Sequence, residues 1–381
     1  MMRNLKLIAV AIVGLVCVVS AQAATSYELA SLNHKITVHL RVDQRIEYDL
    51  VVNGRVLLKQ STLALDIDHR KLGLNPQVLS ATPTIVDRQL SVPVPQKFAV
   101  LREEYNQLRL ELKDGYAVVF RAYDNGVAYR FETTLPQSEV KVYDEEATLN
   151  FADTFHVYYP KEDSFFSHNE REFTYLALKD ISDVSLASVP AVVDTNSAKL
   201  IIADSDVDDY PGLWLRGSRD NHLSATFPRY PVTEELRGDR NLRVTKTADY
   251  IAVTKGTRTY PWRIIGVAEN DAELITNQLV YLLARPSEVK DTSWIKPGKV
   301  AWDWYNANNI YGVNFKSGIN TETYKYYIDF ASKHGIEYII LDEGWYKLGN
   351  LLQVVPEMNI EELVRYGNQK NVGIILWVVW K

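Results

Sequence analysis

Two carboxylates and an indole stand together at Asp342-Glu343-Gly344-Trp345, directly after an apolar run at 336–341. A carboxylate accepts paired hydrogen bonds from neighbouring hydroxyls, and an indole face covers the apolar side of a pyranose, so this set suits the binding of a sugar. The competing reading is local, with Asp342 capping the following turn and Trp345 packed on the rim of its domain. Trp302, Asp303 and Trp304 repeat the combination. Period-2 alternation along a strand at 300–304 puts both tryptophans on one face and Asp303 on the other. A third candidate lies at 164–172, where His168, Asn169, Glu170 and Glu172 gather without periodicity. Their oxygens could serve a hard cation, although a solvated loop has the same composition. The acidic run at 204–209 lacks the glycine and terminal glutamate of a calcium loop and reads as a surface turn. No Gly-x-Ser-x-Gly elbow, Walker loop or dinucleotide fingerprint is found.

The elements that must position these residues come in two styles. From about 27 to 253 the chain runs in short alternating segments such as 35–40, 47–52 and 116–123, separated by turn signals about every ten residues. Asn53-Gly54 and Asn125-Gly126 each sit between two such segments, where positive φ would close a hairpin. These features predict a large antiparallel β-sandwich over 24–285. A single helix is expected at 270–284, capped by Asn270 and ended by Pro286, followed by a linker at 286–299 holding Pro297 and Gly298.

From 300 the pattern alternates strand and helix. Strands are expected at 300–304, 336–341 and 372–380, the last two apolar enough to be buried on both faces. The helix at 320–334 has Asn320 as cap and Gly335 as stop. A second starts at Asn359, with Glu362 completing a capping box. Parallel strands with helical crossovers, placed after a sandwich, predict a multi-domain β then α/β protein whose 300–381 segment is the start of an incomplete (β/α)8 barrel. Active sites of such barrels gather at the C-terminal strand ends, where Asp303 and Asp342 fall.

Residues 1–23 read as a signal peptide: Arg3 and Lys6, an apolar run at 7–19, then Ala21-Gln22-Ala23. The run is too short to span a bilayer, so the expectation is export to a bacterial periplasm with no membrane attachment after cleavage. Cys17, the only cysteine, leaves with the leader, so no internal disulfide is expected in the mature chain. The 381 residues carry 46% hydrophobic and 24% charged side chains, enough to build large cores, which excludes wholesale disorder. With 42 Lys+Arg against 48 Asp+Glu, the net charge of −6 and the lack of a dense basic block argue against a nucleic-acid partner.

The segments 120–132, 260–266, 318–331 and 338–345, in this order behind a leader and a sandwich, resemble glycoside hydrolase family 97 along nearly the whole mature chain. The resemblance implies an exo-acting α-glucosidase or α-galactosidase of the periplasm, acting on α-linked oligosaccharides with the help of Ca2+. It makes Glu170 the sandwich's ligand to that ion, with Glu172 as fallback, and places Asp342 and Glu343 in the substrate pocket, where Trp302, Asp303 and Trp345 join them by their position at the strand ends. It also implies that the catalytic carboxylates follow the third barrel strand, beyond Lys381, so that no catalytic residue is expected in this chain and the stereochemical outcome stays open. The alternative is a non-catalytic carbohydrate-binding or structural fragment. Oligomeric state is not indicated.

Overall fold

The computed structural model describes residues 25–92, 94, 97–238 and 240–379. The leader assigned to 1–23 lies outside them. No helix among the described residues is long and apolar enough to cross a membrane. The chain divides into two compact units: Met1–Arg88, Glu103–Arg229 and Asp249–Ala284 form the first, and Gln89–Arg102, Tyr230–Ala248 and Arg285–Lys381 form the second. The second unit thus takes two segments from inside the region expected to be sandwich alone.

The described strands of the first unit pair antiparallel, as the alternation predicts. One sheet runs in the order Thr25–Ala30, Ile36–Val42, Ile46–Val52, Arg55–Ile67, Val140–Asn150, Ala252–Thr254. A second runs Val100–Leu112, Tyr116–Tyr123, Gly126–Thr134, Trp262–Ala268, Lys199–Ser205, Ala191–Asp194, His156–Glu162, Phe173–Ala177. Short strands His222–Thr226, Trp214–Arg216 and Leu186–Ala187 join Val140–Asn150 of one sheet to His156–Glu162 of the other. Inward side chains from both sheets meet in one core. The ring of Tyr48 lies 5.8 Å from that of Phe120 and 5.7 Å from that of Tyr129, across the sandwich. Each strictly alternating strand, such as Ile36–Val42, buries one face completely. Burying a Leu or Ile in this way stabilises the fold by about 1.5–3 kcal/mol, and truncating Leu50 to alanine would cost ~2–5 kcal/mol.

Local expectations fare unequally. Asn53 (φ 50°) and Gly54 (φ 76°) close the expected hairpin. At the second Asn-Gly pair the turn falls one residue earlier, on Asp124-Asn125, and Gly126 opens a strand. There a Cβ would stand 2.6 Å from the Ile265 carbonyl oxygen, so Gly126 serves close strand approach to Gly266 instead of a tight turn. The single helix at 270–284 is instead two, Asp271–Thr276 and Leu279–Leu283. Asn277 interrupts it, because its amide donates to the Asn125 carbonyl (3.0 Å) while its side-chain oxygen accepts from Leu279 N (3.1 Å). Such side-chain to backbone bonds compete with the helical ladder. The acidic run at 204–209 is not simply a surface turn either, since Asp204 lies in the strand Lys199–Ser205, accepts from Leu213 N (2.7 Å) and faces Arg263.

The second unit holds three parallel strands in the order Val300–Trp302, Tyr338–Leu341, Gly373–Leu376, with helices Thr321–His334 and Ile360–Lys370 as crossovers. Both helices start at the predicted N-caps, but the capping box is only half made, since the Asn359 N–H donates to Thr321 Oγ1 (2.9 Å) and not to Glu362, which pairs with Lys325. Asn320 accepts from Thr323 N (2.9 Å) and Asn359 from Glu362 N (3.0 Å), while Gly335 and Asn371 end them in the left-handed conformation. Tyr324, Ile328, Ala331, Ile339, Leu341 and Leu363 form its core. The strands are shorter than predicted. The first stops at Trp302, where Asp303–Asn306 turns into a 3-10 helix. The third, expected to be buried on both faces, pairs along one side among the described strands, with Ile375 and Leu376 about one-third exposed. A hairpin, Pro231–Arg237 with Asn241–Thr247, also belongs to this unit.

Candidate functional site

The C-terminal ends of Val300–Trp302 and Tyr338–Leu341 are neighbours because the strands pair in parallel register, Trp302 opposite Ile340. Residues 302–305 and 342–345 therefore emerge side by side. The Trp302 indole Nε1 donates to Asp342 Oδ2 at 2.8 Å, and Asp342 Oδ1 accepts from the Glu343 backbone N–H at 2.7 Å. Both oxygens of Asp342 are thus held, which fixes the carboxylate in one orientation.

Trp302 stacks on Trp304 (ring centroids 5.5 Å, 29° apart) and meets Tyr305 edge-on at 5.2 Å. Trp304 and Tyr305 are 65% and 78% exposed. The two tryptophans share a side, as alternation predicted, but through the 3-10 turn instead of a continuing strand. Asp303 points the other way and is buried, its Oδ2 accepting from the Tyr324 hydroxyl at 2.5 Å and its Oδ1 without a hydrogen-bond partner among the described residues. Burial pushes the Asp303 carboxyl above the usual carboxylate range and the charge of Asp342 adds to this, while the Tyr324 hydrogen bond works against it. Burial, with Asp303 as hydrogen-bond partner, likewise raises the Tyr324 hydroxyl.

Glu343 is gripped by Arg240, from the turn of the hairpin at 231–247. Arg240 Nη1 donates to Glu343 Oε2 at 2.6 Å and Nη2 to Oε1 at 2.5 Å, a bidentate fork. With the two side chains 28% and 47% exposed, such a pair adds about 0–1 kcal/mol to stability, so its main effect is geometric. Gly344 follows at φ +109°, where a Cβ would fall 2.4 Å from Ile319 Cδ1. Trp345 is placed differently from a sugar platform: it is 4% exposed, packs on Tyr346 and donates from its indole to the Trp377 carbonyl (2.9 Å). The structure therefore brings together Trp302, Asp342 and Glu343 at the strand ends, sets Asp303 beneath them and puts Trp345 in the core.

Glu170 belongs to the first unit, in the exposed segment between His156–Glu162 and Phe173–Ala177. That segment is tied down by Glu162, whose buried carboxylate accepts from Ser167 Oγ (2.6 Å), Arg171 Nε (2.7 Å) and Ser188 Oγ (3.2 Å). Burial would raise the Glu162 carboxyl, but these three donors outweigh it and leave it below the usual range. Glu170 and Glu172 are both exposed. Among the described residues no three or more His, Cys, Asp or Glu side chains gather as a metal site, and calcium takes six to eight oxygens. The residues present do not by themselves fit a complete calcium site. Sequence reasoning missed Arg240, Tyr324 and Glu162; Arg240 is 103 positions from its partner and carries no local signal.

A β-sandwich in one chain with parallel strand–helix units, whose strand ends present a fixed carboxylate beside exposed aromatics, is an arrangement that suits the binding of sugars. The comparisons agree. Residues 29–286 match the family model described as glycosyl-hydrolase 97 N-terminal, and residues 303–381 that of glycoside hydrolase 97. The chain belongs to glycoside hydrolase family 97.

It is 39% identical over 377 residues to a retaining alpha-galactosidase of Bacteroides thetaiotaomicron, covering 95% of this chain and 57% of that protein. A probable retaining alpha-galactosidase of Streptomyces bingchenggensis is 26% identical over 334 residues, or 85% of this chain and 48% of that one. The chain spans about half the length of these curated relatives. Among solved structures, a family 97 enzyme from Pseudoalteromonas sp. strain K8 in complex with acarbose aligns with a TM-score of 0.74 at 18% identity, over 91% of this chain and 53% of that one. A beta-arabinopyranosidase aligns with a TM-score of 0.72 at 20% identity, over 92% and 55% respectively. These two likenesses show the fold.

Proposed function

We propose that this chain is part of an exo-acting α-glycoside hydrolase that releases single sugars from α-linked oligosaccharides, with α-galactosides favoured over α-glucosides. The observation that carries the reading is the Trp302–Asp342 hydrogen bond at adjoining strand ends, in a chain of family 97 with named α-galactosidase relatives. In this reading Asp342 accepts hydroxyl hydrogen bonds from the substrate, Trp302 and its stacked neighbour Trp304 offer ring faces, and Asp303 supports the site from below.

Glycoside hydrolysis requires two carboxylates at a set spacing, about 5–5.5 Å for retention. That pair is assigned to sequence beyond Lys381, in keeping with the 57% and 48% coverage of the relatives. Glu343, already neutralised by Arg240, is a poor candidate for it. Retention of anomeric configuration is the proposed outcome, after the names of both relatives. Calcium is proposed with Glu170 as one ligand; the other ligands would come from outside the described residues, and no step is derived through the ion. Residues 1–23 are proposed to direct the protein to the periplasm, so that the mature chain begins at Ala24.

The test is an assay of the encoded hydrolase on nitrophenyl α-galactoside and α-glucoside, with the first-formed anomer followed by proton NMR and the assay repeated in chelator. Release of galactose with retention is expected. Turnover by residues 24–381 alone would refute the assignment of the carboxylates, and saccharide binding with no turnover by the complete product would favour a non-catalytic binding protein. Undiminished activity in chelator would remove the calcium proposal.

A further inference from the structure

We propose that Arg240, in the turn of the hairpin at 231–247, is a positioning residue for the strand-end site: by holding Glu343 it sets the turn at 342–344, and through that turn the Asp342 carboxylate and the Trp302 ring. The inference rests on the sugar-binding reading of those two residues and names a further residue that governs them.

The geometry forms a short relay. Both guanidinium nitrogens of the fork reach the two oxygens of Glu343. The backbone N–H of the same Glu343 donates to Asp342 Oδ1, and Asp342 Oδ2 accepts from Trp302. On its far side the turn is confined by Gly344, where a Cβ would collide with Ile319. The turn is therefore pinned at both ends, one end by a residue about a hundred positions away in sequence.

The hairpin at 231–247 buries little among the described residues. Its strand residues are exposed on both faces apart from Val244, and Val232, Leu236 and Leu242 are about half exposed. A two-stranded ribbon is marginal in water by itself, so a fork to Glu343 at its turn ties it to the strand ends. A bidentate fork also fixes direction, which a lysine at the same point would not.

The closing experiment reads the Trp302 indole N–H by two-dimensional NMR of the nitrogen-15-labelled chain, with the resonance assigned through W302F. R240A and E343Q are expected to move that resonance while the indole resonances of Trp214, Trp262 and Trp294, away from the turn, stay in place, and R240K to move it less than R240A. T245A is the control. It removes the Thr233–Thr245 hydroxyl contact of 2.9 Å in the hairpin, keeps Arg240, and is expected to leave Trp302 unmoved.

In the active hydrolase R240A should raise KM about 10-fold with little change in kcat, as loss of substrate positioning in the ground state does. An unmoved Trp302 resonance in both R240A and E343Q overturns the proposal, as does an equal movement in T245A. Should the hydrolase assay fail altogether while the resonance moves as expected, the sugar reading falls and the relay stands. E343Q, nearly isosteric, keeps the test open if R240A does not fold.

Discussion

Trp302 Nε1 and Asp342 Oδ2 are 2.8 Å apart, although 40 residues separate them in sequence. Parallel pairing of two strands makes them neighbours, and the hydrogen bond then orients a carboxylate next to an exposed aromatic surface. If this pair binds substrate, W302F should lower kcat/KM of the hydrolase about 10-fold, the equivalent of ~1.4 kcal/mol for a hydrogen bond to a charged group. D342N should do at least as much. Steady-state kinetics on nitrophenyl α-galactoside check this, and wild-type values for W302F would remove the pair from the site.

Asp303 carries a pH signature. Its folded pKa is raised, so its contribution to stability is fully present below the ordinary carboxylate pKa of about 4 and is lost as pH rises through the folded value. Wild type should therefore be most stable relative to D303N below about pH 4, and should lose ground to it as pH rises above that. Thermal unfolding midpoints on both sides of that pH measure the difference. A gap independent of pH would mean that Asp303 is not ionising in a buried setting.

Glu162 should behave with the opposite sign. Its folded pKa is depressed, so its contribution is present above the ordinary glutamate pKa of about 4 and disappears as pH falls through the lower folded value. E162Q should be destabilised at pH 7 and approach wild type in acid. Hydrogen exchange of residues 163–172 should rise in E162Q at neutral pH, because Ser167 and Arg171 lose a charged acceptor. Unchanged exchange there would show that another contact holds the loop.

The sandwich core contains a charge pair whose rupture should be costly. Arg263 Nε and Nη2 donate to Glu145 Oε1 and Oε2 at 2.6 and 2.7 Å, with both side chains 4% exposed and Asp204 at 3.3 Å. R263M leaves two buried carboxylates without their cation and should cost about 3–5 kcal/mol, while E145Q, which leaves Arg263 with Asp204 alone, should cost less. Replacing both residues by apolar side chains should recover part of that loss. Urea unfolding of the two single variants and the double variant supplies the comparison, and strictly additive losses would contradict the pairing.

Much of the fold was legible because it is written locally. Alternation in 36–42 and 46–52 reports one buried face, and Asn320, Gly335 and Asn359 mark helix ends through bonds to backbone groups three or four residues away. Asn125-Gly126 and Asn277 misled for a shared reason: each answers to a distant part of the chain, through Gly266 in one case and the Asn125 carbonyl of a turn in the other. The same distance hid the site's supports. Adjacency of Asp342 and Glu343 is a property of sequence, and so is the identity of Trp302 and Asp303.

What the residues alone determined, then, is an antiparallel sandwich followed by parallel strand–helix units, the family, and the strand ends where chemistry is to be sought. Only the tertiary structure decided that Trp302 holds Asp342, that Trp345 is core, that Glu343 is held by Arg240 and that Asp303 lies buried against Tyr324. Periodicity and capping act within a few residues and leave a trace in composition. Hydrogen bonds and ion pairs between side chains 21 to 103 positions apart depend on which strands and turns pack together, and no short stretch of sequence encodes that.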